Sequence, residues 1–221
     1  MNALREECQQ LRDELIALRR EFHRDPELGL HEYHTAARIE RELDRCGIPH
    51  ERVGETAVVG HLTGSGNGSG LVVLRADIDA LPIQETNDVP YRSQTPGMMH
   101  ACGHDMHAAV LFGVLKTFAE APDFRGTLFG LFQPGEETFE GARAAIADGL
   151  LENPCPQAAF AMHVNSQSPL GLVLYGSPAL SGVYGFRITL QGKGGHGSSP
   201  EICIDPITAG VHVLSLIHIS E

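Results

Sequence analysis

Strand-like and helix-like patterns alternate along the chain up to residue 163. Apolar residues recur every three or four positions in residues 4–22, as on one face of an amphipathic helix, and a second helix is predicted over residues 34–46. The further predicted elements are, in order, a strand at 57–62, a strand at 71–74, a helix at 104–121, a strand at 127–132, a helix at 139–150 and a strand at 158–163. This alternation predicts a three-layer α/β fold, in which helices cover the two faces of a sheet.

The pattern changes near residue 180, where a smaller α+β domain is predicted to begin. Residues 171–175 and 184–191 have the apolar character of strands, and residues 204 to about 216 have the periodicity of a helix. We therefore expect a larger domain over residues 1–180 and the beginning of a smaller domain over residues 181–221.

The net charge argues against nucleic-acid and membrane partners, and the cysteines indicate the redox compartment. The formal net charge is −12, from 28 Asp and Glu against 16 Lys and Arg, and such a surface repels both nucleic-acid phosphates and anionic lipids. No apolar run approaches the roughly 18 residues of a membrane span, and the charged N-terminus has no signal-peptide core. The five cysteines are scattered and odd in number, which is typical of free thiols in a reducing compartment. We expect a cytoplasmic protein that binds neither nucleic acid nor membranes.

Metal-capable side chains concentrate in four short segments, each at the end of a predicted strand or the start of a predicted helix. In an open α/β sheet the carboxyl ends of the strands line the ligand crevice. The segments are LRADIDALP (74–82), MHACGHDMHAA (99–109), FQPGEET (132–138) and MHV (162–164).

The second of these segments carries the strongest local signal for a metal. It places His100, Cys102, His104, Asp105 and His107 within one short stretch. Thiol and imidazole ligands together favour Zn²⁺, with Mn²⁺ or Co²⁺ also possible. A helix N-terminus capped by Asp105, with hydrogen-bonded histidines, is the alternative. The close spacing of Cys102 and His104 favours metal binding.

The adjacent carboxylates Glu136 and Glu137 follow an apolar strand. Neighbouring residues there point in different directions, so one carboxylate could bind a metal while the other holds or deprotonates a water molecule. An ordinary solvated acidic turn is the alternative for this pair. His163, at the end of the next strand, would by itself be read as a core histidine.

Taken together, the motifs resemble those of the metallopeptidase and amidohydrolase family that includes hippurate hydrolases, auxin-conjugate hydrolases, aminoacylases and N-acetyl-diaminopimelate deacetylases. The resemblance extends from about residue 10 to residue 213, with the motifs in one order. They are RREFHRDPELGLHE (19–32), RADIDALPIQE, HACGHDMH, QPGEE, MHV and GKGGHGSSP followed by DPI.

The resemblance implies an enzyme that cleaves the amide bond of N-acyl amino acids, such as hippurate, or of small peptides. It implies two divalent metal ions per subunit, Zn²⁺, Mn²⁺ or Co²⁺, and a homodimer with a smaller lid and dimerisation domain. Glu136 matches the general base, which takes a proton from a metal-held water and later protonates the leaving nitrogen. The positions that match metal ligands are Cys102, His104, Glu137 and His163.

The remaining matched residues support the reaction less directly. Asp77 and Asp79 are expected to orient the ligands from behind, and Asp105 is expected to do the same. His196 matches a histidine that reaches the active site from the smaller domain, often across the dimer, to stabilise the tetrahedral oxyanion.

The match ends before the family pattern is complete. The family has a further histidine ligand downstream, and LSLIHISE (214–221) departs from the helical pattern and resembles translated sequencing-adapter sequence. We expect a truncated chain that is inactive by itself.

Two other classes of protein remain open: a catalytically inactive binding or regulatory relative, and a structural zinc protein. Structural zinc ligands usually lie close in sequence, whereas the candidate ligands here extend from residue 102 to residue 163.

Overall fold

The computed structural model describes residue 6, residues 8–152, residues 155–176, residue 182 and residues 185–217. The chain divides into two compact units, Met1–Ser168 and Pro169–Glu221. The domain boundary predicted after residue 180 falls outside the described residues and stays a prediction. Within the described residues, no helix combines the length and apolar character needed to cross a bilayer.

The first unit contains a mixed sheet and its flanking helices. The elements in chain order are α1 Arg12–Arg24, α2 Tyr33–Arg45, β1 His50–Val53, β2 Ala57–Thr63, β3 Gly66–Asp77, α3 His104–Glu120, β4 Arg125–Gln133, α4 Gly141–Ala147 and β5 Ala158–Ala161. The strand order in the sheet is β1-β2-β4-β3-β5. The pairs β1/β2 and β2/β4 are antiparallel, whereas β3 pairs in parallel with β4 and with β5.

The three parallel strands end at one edge of the sheet. Asp77, the last residue of β3, lies level with Gln133, the last residue of β4, and Arg75 lies level with Ala161 at the end of β5. Segments that follow these strands are therefore brought together, as expected at the carboxyl edge of a parallel arrangement.

The two faces of the sheet are covered unequally. On one face, side chains such as Val58, Leu128 and Phe132 form a buried cluster with apolar residues of α1, α2 and α3. Val59, Val73 and Leu131 point to the opposite face, where the partly buried Leu150 and Leu151 pack against them. Full burial of one such side chain stabilises the fold by about 1.5–3 kcal/mol. These layers confirm the predicted three-layer α/β class.

One glycine shows how closely α3 approaches the sheet. A Cβ atom added to Gly130 of β4 would lie 2.5 Å from Cδ1 of Leu115, whose side chain is completely buried. Glycine at this position therefore lets the helix that carries His104 pack directly on the strand that leads to Glu136.

The predicted elements of the first unit are confirmed with shifted bounds. β1 was not predicted, and β3 begins at Gly66 because the glycine-rich stretch before Leu71 continues the pairing with β4 through a register shift. The helix predicted over 139–150 is shorter, at Gly141–Ala147, and the strand predicted over 158–163 ends at Ala161.

The second unit contains less regular structure than the sequence predicts. Residues 171–175 and 185–191 form no strand, so these two strand predictions are wrong for the described residues. Apolar character alone does not make a strand, because a strand also needs a hydrogen-bonded neighbour. The predicted helix is confirmed as α5, Pro206–Ile217, preceded by the short 3-10 helix Pro200–Ile202. Residues 214–217 continue this helix, and the rest of LSLIHISE lies outside the described residues.

Candidate metal centre

The candidate metal residues of the first unit all come from the carboxyl edge of the sheet. Asp77 ends β3, Glu136 and Glu137 lie in the turn after β4, and His163 follows β5. His104 is the first residue of α3, with Cys102 just before it. The first turn of α3 faces this edge, so residues far apart in sequence converge on one place.

Three groups of possible ligand atoms share His104. In the first, Cys102, His104 and His163 each place a ligand atom within 4.8 Å of the others; in the second, His104 does so with Glu136 and Glu137; in the third, it does so with Asp77 and His107. Sγ of Cys102 lies 3.3 Å from Nε2 of His163. Nε2 of His104 lies 3.8 Å from Oε2 of Glu136 and 3.9 Å from Oε1 of Glu137. The structure thus brings together all five residues that the sequence predicted as metal ligands or base.

The orientation of both histidines leaves Nε2 facing the cluster. Nδ1 of His104 donates to Oδ1 of Asp79 at 3.1 Å, and Nδ1 of His163 donates to the carbonyl oxygen of Val164 at 2.6 Å. A hydrogen bond at one ring nitrogen fixes the tautomer, so the lone pair of the other nitrogen is free to bind a metal.

Buried atoms without hydrogen-bond partners indicate that a cation fits this cluster. Nε2 of His104 and Oε1 of Glu137 are both buried and both unpartnered. An unsatisfied buried polar atom costs about 1–3 kcal/mol, and a cation between these two atoms would remove that cost. Thiol, imidazole and carboxylate donors together are also the set that Zn²⁺ favours.

The pKa shifts of the cluster also indicate that it lacks a compensating positive charge. Burial, followed by the charges of Glu137 and Glu136, raises the pKa of the Cys102 thiol to about 12. Burial also raises the pKa of Glu137. Burial lowers the pKa of His104, but the hydrogen bond to Asp79 and the neighbouring carboxylates outweigh it, so the pKa lies above its ordinary value. A divalent cation stabilises the deprotonated ligands and releases these protons.

Asp79 contacts the Nδ1 side of His104, whereas Asp77 approaches its Nε2 side. Oδ2 of Asp79 accepts a hydrogen bond from the backbone N–H of Glu137 at 2.9 Å. The same carboxylate therefore contacts both His104 and the turn at residues 135–138, called the acidic turn below. Oδ2 of Asp77 lies 3.6 Å from Nε2 of His104 and accepts from Arg75 at 2.8 Å. The expectation that both residues orient ligands stays a prediction that this arrangement suits.

His107 contributes a contact that the sequence did not indicate. Its Nδ1 lies 2.5 Å from Oδ1 of Asp77, and its Nε2 accepts the backbone N–H of Val164 at 3.0 Å. His107 therefore ties the end of β3 to the segment that carries His163. The sequence signals were its place in the metal-capable segment 99–109 and its spacing of three residues from His104, which places both on one helix face.

Asp105 points away from the cluster towards α1. Its Oδ2 lies 2.7 Å from Nδ1 of His23 and 2.7 Å from Nε of Arg19, while Nε2 of His23 lies 3.2 Å from Oε1 of Glu85. His100, also buried beside His23, has no partner for either ring nitrogen, and its burial lowers its pKa to about 4. Sequence reasoning missed His23 and Glu85, and the role expected for Asp105 stays a prediction.

His196 belongs to the second unit. It is exposed, and its Nδ1 lies 2.8 Å from Oγ of Ser198. Its predicted contribution to an active site stays a prediction.

Comparison with known proteins assigns the chain to a family. The family model for peptidase family M20/M25/M40 matches residues 73–212. The chain is 40% identical over 211 residues to IAA-amino acid hydrolase ILR1-like 5 of Arabidopsis thaliana, covering 94% of this chain and 48% of the relative. It is 39% identical over 204 residues to hippurate hydrolase of Campylobacter jejuni, covering 90% and 52%.

A solved structure has the same fold. The dinuclear metal-binding peptidase of the M20 family from Bacillus subtilis matches with a TM-score of 0.70 and 36% identity, covering 74% of this chain and 46% of that one. The chain spans about half the length of the curated relatives it matches. The matched family model extends over more than half of the chain and includes every candidate ligand, so this protein belongs to peptidase family M20/M25/M40.

Proposed function

We propose that the protein is a metal-dependent hydrolase that cleaves the amide bond of N-acyl amino acids, such as hippurate, or of small peptides. The observation that supports this most directly is the convergence of Cys102, His104, Glu137 and His163 around buried, unpartnered ligand atoms. The names of two relatives, an IAA-amino acid hydrolase and a hippurate hydrolase, favour an N-acyl amino acid as the substrate.

Cys102, His104, Glu137 and His163 would hold two divalent metal ions, Zn²⁺, Mn²⁺ or Co²⁺, as the donor set favours. When bound, the metals supply positive charge that polarises the substrate carbonyl and makes a water molecule acidic enough to react. A family member of known structure is described as dinuclear, which supports two ions over one.

Glu136 is proposed as the general base and Glu137 as the ligand. The side chain of Glu136 is 38% exposed, whereas that of Glu137 is 24% exposed and buries Oε1 against His104. The more accessible carboxylate can meet a water molecule and take its proton, then deliver that proton to the leaving nitrogen. A positioned carboxylate of this kind contributes about 10²–10⁴-fold to the rate.

The remaining parts of the proposal concern the whole protein. His196 is proposed to stabilise the oxyanion of the tetrahedral intermediate, from the same subunit or from the partner of a homodimer. We also propose a cytoplasmic location, in keeping with five free cysteines among the described residues.

The test is hydrolysis of a panel of N-acyl amino acids by the full-length protein, before and after removal of metal by a chelator and its return. We expect metal-dependent turnover, and a loss of about 10²-fold or more in kcat for Glu136→Gln with near-normal metal content. A wild-type protein that binds metal without turnover would instead indicate a binding relative. Loss of metal from Glu136→Gln would mean that the two glutamates exchange roles.

A further inference from the structure

Glu32, the residue directly before α2, is completely buried and contacts the acidic turn, residues 135–138. Its Oε1 accepts the backbone N–H of Gly135 at 2.8 Å, and its Oε2 accepts the hydroxyl of Thr56 at 3.0 Å. A buried carboxylate is expensive unless each oxygen is satisfied, and here a donor satisfies each oxygen. One of those donors belongs to the residue directly before Glu136.

The residues just before Glu32 pack closely against the acidic turn. A Cβ atom on Gly135 would lie 2.9 Å from Cδ2 of Leu30, and a Cβ atom on Gly29 would lie 3.1 Å from Cα of Gly135 and 3.3 Å from Oδ2 of Asp79. Leu30 has a φ of 66°, which is unusual for a residue other than glycine. Such a conformation costs about 1–3 kcal/mol and persists only where the surroundings enforce it.

The acidic turn is consequently held at two points. The N–H of Gly135 is held by Glu32 at 2.8 Å, and the N–H of Glu137 is held by Asp79 at 2.9 Å. Glu136 lies between these two anchors. Movement of either anchor would change where the side chain of Glu136 points.

We propose that Glu32 is a positioning residue that fixes the Gly135–Thr138 turn and thereby aims Glu136 at the reacting water. This proposal rests on the proposed function, in which Glu136 is the base. A purely structural Glu32 would instead stabilise the fold without affecting the reaction beyond the loss of folded protein.

The experiment compares Glu32→Ala and Glu32→Gln in the full-length protein with the control Glu42→Gln. Glu42 is a buried glutamate within α2, but it pairs with Arg38 and Arg45. We expect Glu32→Ala to lower kcat by about 10- to 100-fold, the usual effect of removing a residue that supports metal-site groups, with KM changed less than about twofold. Glu32→Gln keeps an oxygen that accepts from Gly135, so we expect it to recover part of the loss.

A second measurement, made without metal, is hydrogen exchange of the Gly135 amide. We expect faster exchange in Glu32→Ala than in Glu42→Gln at equal global stability. Unchanged exchange, or a fall in kcat no larger than that of the control, would overturn the proposal. If Glu32→Ala fails to fold, kcat and the exchange of the Gly135 amide are measured on Glu32→Gln instead. Values equal to those of Glu42→Gln would then overturn the proposal. If the wild type shows no turnover, the proposed function fails, and the exchange of Gly135 still decides whether Glu32 holds the turn.

Discussion

At the scale of single residues, the candidate centre combines thiol, imidazole and carboxylate groups that a cation would satisfy together. Cys102 lies 3.3 Å from His163, and Nε2 of His104 is buried without a partner. Burial, and after it the negative charges of Glu137 and Glu136, raise the pKa of the Cys102 thiol. Such a cluster is unfavourable without bound metal and favourable with it.

We therefore expect Cys102→Ser combined with His104→Ala to lose most of the metal bound by the full-length protein, because two of the four proposed ligands are removed. Metal content after dialysis measures this directly. Cys46→Ser is the control, since Cys46 is a partly buried free thiol at the end of α2. Unchanged metal content in the double variant would refute the proposed ligand set.

At the scale of elements, buried contacts join α1 to the start of α3, the helix that begins with His104. His23 of α1 lies 2.7 Å from Asp105 of α3 and 3.2 Å from Glu85 in the loop after β3. Burial lowers the pKa of His23, but the hydrogen bonds to Asp105 and Glu85 outweigh both burial and the nearby charge of Arg19. The pKa of His23 therefore lies above its ordinary value, and the neighbouring His100 does not compete for the proton because its pKa is about 4.

The raised pKa makes the contribution of His23 to stability depend on pH. The contribution is fully present below the unfolded-state pKa of about 6.5 and is lost as pH rises through the higher pKa of the folded state. We expect the difference in unfolding free energy between wild type and His23→Gln to be larger near pH about 6 than near pH about 9. Urea denaturation at both pH values measures it. His61→Gln is the control, because His61 is partly exposed in β2 and contacts Glu51 at the surface. A difference that grows with pH would contradict this assignment.

In the first unit, most element types and the positions of the candidate ligands were predictable, because apolar runs and the polar residues after them are local signals. Glu137 and His163 follow their strands as expected. The supporting contacts were not predictable: Glu32 and Gly135 are separated by 103 residues, and His23 and Asp105 by 82. Such pairs are set by the packing of α1 and α2 against the sheet. The sequence signal was the motif at residues 19–32, which carries His23 and Glu32 without indicating what they contact.

At the scale of the whole molecule, the two units differ in how well they bury their apolar side chains. The first unit encloses two clusters of buried residues on the faces of its sheet. In the second unit, many large apolar side chains are exposed; they include Leu170, Val173, Leu174, Tyr175, Phe186, Ile188, Ile207, Val211 and Leu214. Exposed apolar surface on this scale is typical of an interaction site or of a segment that aggregates.

We therefore expect residues 1–221, expressed alone, to aggregate and to show no turnover. Aggregation follows from the exposed side chains, since Tyr175 is 97% exposed and Phe186 is 81% exposed. Inactivity follows from the metals, because Cys102, His104, Glu137 and His163 supply four ligands for two ions and the family resemblance implies a further histidine. Size-exclusion chromatography and hydrolysis assays with added Zn²⁺ or Mn²⁺ test both points, with residues 1–168 as the comparison that lacks the exposed segment. A monomeric 1–221 chain with turnover near that of the full-length protein would show that these residues already contain a complete active site.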